Sequence, residues 1–462
     1  MAFELKIKNI GKLADAKIRI GQFTVFAGPN NTGKSFVSKV LYSLFNSMNA
    51  NHAKEHINNL TAHLLHSIGN LKDLEDSEGE RVSLFPLYER IRVLQDMIID
   101  SPIGDFKQLD KIMPDLANKA KEIQATLSKL ILELESMASP DLDGSRSLMK
   151  DTLKGEEQSL TKLQEELSDK NAKEFIVSGI AYKIKENLIQ NFQVPKLSDL
   201  RGKEDRSSEV VSDYLGKFEF SNGEIEFSIP RFGLQELQQY SKVIYLESPV
   251  YWKLKNALED IRLSPRHLHS SRERISGIPG YFYDLASALK YQYTGDMAFP
   301  DVYEKLTGEN ILGGKIALSE SGDLSFQENG RSFSLPVTAM GVANLGVLAL
   351  LIERKVLDED SFIFIDEPEA HLHPGWQVVM AETLFELAKG GVNVVIATHS
   401  ADILKFLEVA VKKNPEYEEL VALNHFSHQG VIDGESDFDI KLARIKQELT
   451  KPFSDLYIKG LL

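Results

Sequence analysis

Apolar and polar residues alternate at the start of the chain: Phe3, Leu5 and Ile7, then Ala16, Ile18 and Ile20, with Gly11 and Gly21 where the chain turns. A period of two predicts strands with one buried face. The next run, Gln22-Phe23-Thr24-Val25-Phe26-Ala27, is nearly unbroken and predicts a short strand buried on both faces. Helical spacing begins at Phe36-Val37-Ser38-Lys39-Val40-Leu41 and continues to Phe45.

From His52 to Phe192 the pattern is long and helical, with few β signals. Leu109, Ile112, Met113, Leu116, Ala120 and Ile123, continuing through Leu127 to Leu134, recur at steps of three or four with Lys and Glu on the opposite faces. That predicts an amphipathic helix. Ser139-Pro140-Asp141-Leu142-Asp143-Gly144-Ser145 interrupts the pattern, and Leu153, Leu160, Leu163 and Leu167 resume it. Two helices joined by a short polar turn make an antiparallel hairpin, here over residues 107–170. Such a hairpin is either an arm that meets a partner or a lid on its own head, and the pattern favours neither. Ser198 to Asp213 is polar and charged and reads as the loop where an insertion rejoins the rest of the chain.

Strand signals then return. Lys217-Phe218-Glu219-Phe220 and Ile225-Glu226-Phe227-Ser228-Ile229 flank Asn222-Gly223, the pattern of a tight hairpin. Lys242 to Leu246 reads as a buried strand, and Ile311 to Leu335 offers further strands and turns, among them Ser321-Gly322 and Asn329-Gly330. Phe362-Ile363-Phe364-Ile365, Asn393-Val394-Val395-Ile396 and Leu420-Val421-Ala422-Leu423 are separated from one another by helical pattern, which is how a parallel sheet is built. Asp439 to Leu449 predicts a last amphipathic helix, with Pro452 as its stop.

Composition narrows the class. A chain of 462 residues accommodates two or three domains, and the pattern divides it into a lobe at 1–51, a helical insertion at 52–213 and a second lobe at 214–462. The absence of cysteine excludes disulfides and thiolate metal sites. The longest apolar run, Val347 to Ile352, is far short of the roughly 18 residues that cross a membrane. Phe3-Glu4-Leu5-Lys6-Ile7 has no charged leader followed by an apolar core, so a cytoplasmic protein without membrane contact is expected. A net charge of −15 argues against a uniformly basic nucleic-acid coat. The densest basic stretch, from Arg262 to Arg274, lacks interleaved aromatics and reads as a solvated loop rather than a nucleic-acid contact.

The chemistry concentrates at Gly28-Pro29-Asn30-Asn31-Thr32-Gly33-Lys34-Ser35, whose spacing of Gly, four residues, Gly-Lys-Ser follows a predicted strand and opens a predicted helix. Gly28, Asn30, Asn31, Thr32 and Gly33 make a loop whose N–H groups converge on phosphates, and the helix N-terminus adds partial positive charge. Lys34 reaches the outer phosphates and Ser35 is placed to hold Mg²⁺. Far downstream, the strand ending in Asp366-Glu367 delivers two carboxylates at a sheet edge. Asp366 suits the metal and Glu367 the attacking water, because phosphoanhydride hydrolysis needs positioning and charge neutralisation. Ile396-Ala397-Thr398-His399-Ser400 ends the next strand with a histidine able to hydrogen-bond a γ-phosphate or the water.

Together these motifs resemble the ABC-type ATPases of the SMC, RecF and OLD group, described broadly as AAA-family ATPases. Asp366-Glu367-Pro368-Glu369-Ala370-His371-Leu372-His373-Pro374 is similar to that group's Walker B and D-loop, and Ala397-Thr398-His399-Ser400 to its switch-histidine loop. The resemblance implies an α/β P-loop ATPase head, a mixed sheet with flanking helices and a β-subdomain, interrupted by the helical insertion. It implies ATP and Mg²⁺ as cofactors, and Glu367 and His399 as catalytic residues. It places His371 and His373 on a dimer-facing loop rather than in a metal pair. The signature segment that a second head contributes matches Pro336 to Leu345. Gly341 is retained, Met340 stands where serine is expected and Ala343 where a lysine is frequent; either Thr338 or Asn344 substitutes as the contact, or hydrolysis is slow and the nucleotide mainly structural. No Q-loop glutamine is assignable.

Asp437-Phe438-Asp439 imitates the Asp-x-Asp of a Toprim nuclease but lacks an upstream strand with glutamate, and reads as a turn before the last helix. A head without its own effector resembles the ATPase components of two-gene anti-phage systems, such as AriA of PARIS and PtuA of Septu. That resemblance implies a homo-oligomer that senses a phage-encoded trigger and controls a separate effector nuclease. The alternative is a RecF-like or SMC-like ATPase whose paired heads clamp DNA.

Overall fold

The fold is taken from a computed structural model, which describes residues 3–49, 57, 61–62, 64–65, 85–99, 106–136, 143–202, 206–213, 215–221, 224–230, 242–247, 277–291, 293–319, 322–428, 430 and 437–458. The basic stretch from Arg262 to Arg274, the Asn222-Gly223 turn, Ser139 to Leu142 and Ser321 lie outside the described residues.

In chain order the elements are β1 (Phe3–Ile10), β2 (Leu13–Ile20), β3 (Phe23–Ala27), α1 (Lys34–Asn49), α2 (Phe85–Ile99), α3 (Phe106–Ser136), α4 (Asp143–Asp169) and α5 (Ala172–Phe192). There follow β4 (Ser208–Ser212), β5 (Gly216–Ser221), β6 (Glu224–Ser228), β7 (Lys242–Leu246), α6 (Gly280–Lys290), α7 (Pro300–Thr307), β8 (Lys315–Leu318), β9 (Leu324–Glu328) and β10 (Arg331–Ser334). The last part comprises α8 (Met340–Glu353), β11 (Ser361–Asp366), α9 (Pro374–Lys389), β12 (Asn393–Thr398), α10 (Ala401–Lys413), β13 (Val421–His425) and α11 (Phe438–Ile458).

The chain divides into two compact units, residues 1–49 with 183–462, and residues 50–182. Residues 183–213, read from the sequence as insertion, fall in the first unit. Two buried amides show why: Asn187 Nδ2 donates to Ser47 Oγ at 2.9 Å and Asn191 Nδ2 to Ser43 Oγ at 2.8 Å, fastening the second half of α5 to α1. The polar segment from Ser198 to Asp213 is likewise not all loop. Its Ser208–Ser212 portion is strand β4, because Val210 lies opposite Ile7 and buries completely against the sheet.

Among the described residues the first unit holds three sheets. A parallel sheet runs β13-β3-β12-β11-β7, and every strand pair in it is parallel. Its central strands β3 and β12 are buried at every residue, which is why the sequence shows apolar runs there rather than alternation. Each such Val, Ile or Phe side chain contributes about 1.5–3 kcal/mol by leaving water. An antiparallel sheet runs β2-β1-β4-β5-β6, and its first hairpin pairs Phe3 with Ile20 and Ile7 with Ala16. The third, β10-β9-β8, turns at Asn329 and Gly330, both left-handed at φ 47° and 75°, the geometry that an Asn-Gly hairpin supplies. Helix α1 is anchored on the parallel sheet by aromatic rings: Phe45 stacks on Phe362 with centroids 4.7 Å apart, and Tyr42 meets Tyr245 edge-on at 5.3 Å.

In the second unit α3 and α4 form the expected hairpin. Gln124 Nε2 donates to Thr161 Oγ1 at 2.7 Å, while Glu135 pairs with Lys150 at 2.9 Å, so contacts run in opposite directions along the two helices. Leu116, Ile123 and Leu127 bury with Leu153, Leu160 and Leu163.

The last helix departs from expectation. Pro452 does not stop α11, which continues to Ile458. Pro452 is exposed, and the carbonyl that loses its donor is that of Glu448, one turn back. Asp437 is the cap expected of a turn, its Oδ1 accepting the Asp439 N–H at 2.9 Å.

Candidate nucleotide site

The end of β3 and the start of α1 form the phosphate loop. Gly28 sits at φ 151°, and a Cβ there would lie 1.9 Å from the Phe426 carbonyl oxygen, so no side chain fits. Asn31 adopts a left-handed φ of 65°, which asparagine tolerates, and Lys12 Nζ donates to its carbonyl at 3.3 Å. Thr32 Oγ1 donates to Pro29 O at 2.9 Å and is buried, while Asn30 is exposed. Lys34 is folded across the loop, its Nζ donating to the carbonyls of Gly28 at 2.8 Å and Pro29 at 2.6 Å. Burial holds its ammonium below the ordinary lysine value, and the carboxylates of Asp366, Glu367 and Glu369 pull the other way.

The two halves of the predicted site meet. Ser35 Oγ donates to Asp366 Oδ1 at 2.8 Å, although 331 positions separate the two residues. Burial pushes the Asp366 carboxyl up to about 6, the Ser35 hydroxyl and the Lys39 ammonium oppose that rise, and Glu247 and Glu367 add to it. A desolvated carboxylate beside a hydroxyl suits a dication. Magnesium takes one or two protein oxygens and completes its shell with water and substrate phosphates, so Ser35 and Asp366 fit the metal and the loop fits the triphosphate. Bound there, the ion would supply charge neutralisation for the phosphates. Among the described residues no group of three or more His, Cys, Asp or Glu could hold a metal by itself.

Glu367 follows in a left-handed conformation, φ 52°, which costs a non-glycine residue about 1–3 kcal/mol and marks a constrained site. Its N–H is tied to the Ala397 carbonyl at 2.8 Å and its side chain is 47% exposed, so the carboxylate stands at the solvent side of the sheet edge. His399 Nδ1 lies 3.7 Å from Glu367 Oε1 and 3.2 Å from Glu369 Oε1. Gly341 and Asn344 are placed differently. Asn344 Nδ2 donates to Ala370 O at 2.8 Å, and a Cβ on Gly341 would come within 2.9 Å of the His371 carbonyl; the start of α8 therefore backs the loop after Asp366. His373 caps α9, its Nδ1 accepting the Gly375 N–H at 3.2 Å.

Sequence reasoning missed two acids. Glu247, directly after β7, takes Lys39 Nζ at 2.8 Å and the Tyr281 hydroxyl. Val243 to Leu246 is an apolar run followed directly by an acid, just as Phe362 to Ile365 is, and that parallel was the available signal. Glu369 is buried, accepting the Thr398 hydroxyl and the His399 N–H, both at 2.8 Å.

A phosphate loop after one strand of a parallel sheet, with a histidine after the adjacent strand and an acid pair at the end of the strand beyond it, defines a P-loop ATPase head. The family model of the AAA ATPase domain, AAA_15, matches residues 1–404, and the chain belongs to that family. Among solved structures, the Smc head bound to the C-winged helix domain of ScpA is similar at 11% identity, covering 94% of this chain and 96% of that one, with a TM-score of 0.35. The Smc head with an extended coiled coil bound to the C-terminal domain of ScpA from Pyrococcus furiosus has 12% identity, coverage of 97% and 99%, and a TM-score of 0.31. The Smc head with a coiled coil and joint from Pyrococcus yayanosii has 11% identity, coverage of 97% and 99%, and a TM-score of 0.33. No curated protein matches the chain. Among the described residues no helix is long and apolar enough to cross a membrane.

Proposed function

We propose that this chain binds and hydrolyses ATP with Mg²⁺, and that two heads pair around the nucleotide. The observation that carries the reading is the 2.8 Å hydrogen bond from Ser35 to Asp366, which joins the phosphate loop to the acidic strand end. Lys34 leaves the carbonyls it now holds to meet the outer phosphates, and Ser35 with Asp366 holds the ion. Glu367 takes the proton of the attacking water, and His399 contacts the outermost phosphate or that water. Gly341 and the N–H groups opening α8 face the nucleotide of a second head, with Asn344 steadying the adjoining loop. Binding then joins heads and hydrolysis parts them.

On the resemblance of the motifs, the switch serves a two-component antiviral system in which the ATPase senses a phage trigger and restrains or releases a separate nuclease. The competing reading is a DNA-maintenance ATPase.

Calorimetry with ATP, and light scattering with and without it, test the first part. The wild type is expected to bind and change oligomeric state, Lys34→Ala to do neither; unchanged binding by Lys34→Ala would refute the site. Co-purification with the product of a neighbouring gene and loss of plaque reduction in Lys34→Ala support the defence reading. DNA binding that weakens steeply with salt, without such a partner, supports the DNA reading instead.

A further inference from the structure

We propose that Glu369 is the positioning residue for His399, accepting a proton-bearing Nδ1 so that Nε2 is the nitrogen left to face the reacting end of the nucleotide. This rests on the role of His399 given above.

Glu369 is only 5% exposed. Its Oε1 already accepts the Thr398 hydroxyl and the His399 backbone N–H, and it lies 3.2 Å from His399 Nδ1. That third approach lacks hydrogen-bond geometry: both His399 Nδ1 and Glu369 Oε2 are buried without a hydrogen-bond partner. The ring nitrogen and the second carboxylate oxygen belong to neighbouring side chains and are each one bond short, so a bond between them would satisfy both. Leaving both unmade is costly, so the pairing is the favoured outcome once the site closes.

A purely structural role for Glu369 explains less. The turn at 398–400 is already tied to the loop after Asp366 by Gln377, which takes the Ser400 hydroxyl at 2.7 Å and donates to Leu372 O at 3.1 Å. A second tie needs only an oxygen acceptor, which glutamine offers with far less desolvation than a carboxylate. The negative charge is needed where a protonated imidazole nitrogen must be held, as carboxylates hold histidines elsewhere in catalysis.

The test is a double-mutant cycle on ATP turnover with Glu369→Gln, which keeps the acceptor for Thr398 and the His399 N–H, and His399→Ala. Expected are an unchanged KM and a kcat lower by about 10–100-fold for Glu369→Gln, with no further loss when it is added to His399→Ala. Wild-type kcat in Glu369→Gln, or a loss that adds in full to that of His399→Ala, overturns the proposal. Wild-type kcat in His399→Ala removes the histidine from the reaction and with it the reading beneath; a slowed His399→Ala beside an unaffected Glu369→Gln overturns the present inference alone. Nitrogen-15 NMR of the wild-type chain with ATP bound, with His399→Gln assigning the signal, needs no folded Glu369 variant. A proton on Nδ1 is expected, and an unprotonated Nδ1 refutes the pairing.

Discussion

Replacing Asp366 by asparagine should make the nucleotide-free protein more stable while destroying its response to nucleotide. The folded carboxyl titrates at about 6 against an ordinary 3.8, chiefly through burial. At about 1.36 kcal/mol per pH unit, that difference amounts to about 3 kcal/mol. The sign follows from linkage: an acid that holds its proton more tightly when folded stabilises the fold only while protonated. The penalty is therefore absent below 3.8, grows between 3.8 and about 6, and is complete above that. The asparagine side chain would carry no charge, and its amide oxygen would still accept the Ser35 hydroxyl. Thermal unfolding of the two apo proteins across this range should show Asp366→Asn gaining on the wild type as pH rises and then holding a lead of several degrees. Magnesium with ATP should raise the melting temperature of the wild type and leave the variant unmoved. A variant less stable than the wild type above pH 7, or equally stabilised by the ligands, would show that Asp366 is held by the fold and not reserved for a cation.

Glu367→Gln should bind ATP normally but slow hydrolysis by at least about 100-fold, leaving paired heads that persist in gel filtration. Met340→Ser should raise turnover if the departure from the signature pattern tunes the enzyme down, which steady-state assays read directly. Gly28→Ala forces a Cβ to within 1.9 Å of the Phe426 carbonyl. It should lower the melting temperature and abolish nucleotide binding together, whereas Lys34→Ala should abolish only the second.

Much of the fold was legible because its signals are local. The apolar runs of β3, β11 and β12, the alternation of β1 and β2 and the Asn329-Gly330 turn each declare themselves within a few residues. Strand β4 was hidden, since Val210 and Val211 are surrounded by Ser, Glu and Asp and the burial of Val210 depends on β1 some two hundred positions away. The extent of α11 past Pro452 was not legible either, since a proline inside a helical pattern reads as its stop. The boundary near residue 183 depends on two asparagine amides finding serines of α1. At the site, residues defined by spacing were legible and residues defined by packing were not. Glu369 falls inside a recognisable loop, but its burial under Thr398 becomes visible only when the strands are aligned.

That alignment is what turns scattered motifs into one site. Ala27 pairs with Thr398, Ala397 with Asp366, and Ile365 with Leu246. The residues that follow these pairs, Gly28, His399, Glu367 and Glu247, therefore emerge from one edge of the parallel sheet at nearly the same height. Chain distance is irrelevant to this arrangement, and register is decisive. A slip of one residue in β12 would turn its side chains to the opposite face and carry Thr398 off Glu369. The slip is resisted because β12 is buried on both faces between β3 and β11, so reversing it would repack two layers of the core at once. The apolar runs that announce the strands thus also fix the height at which every polar group of the site is delivered.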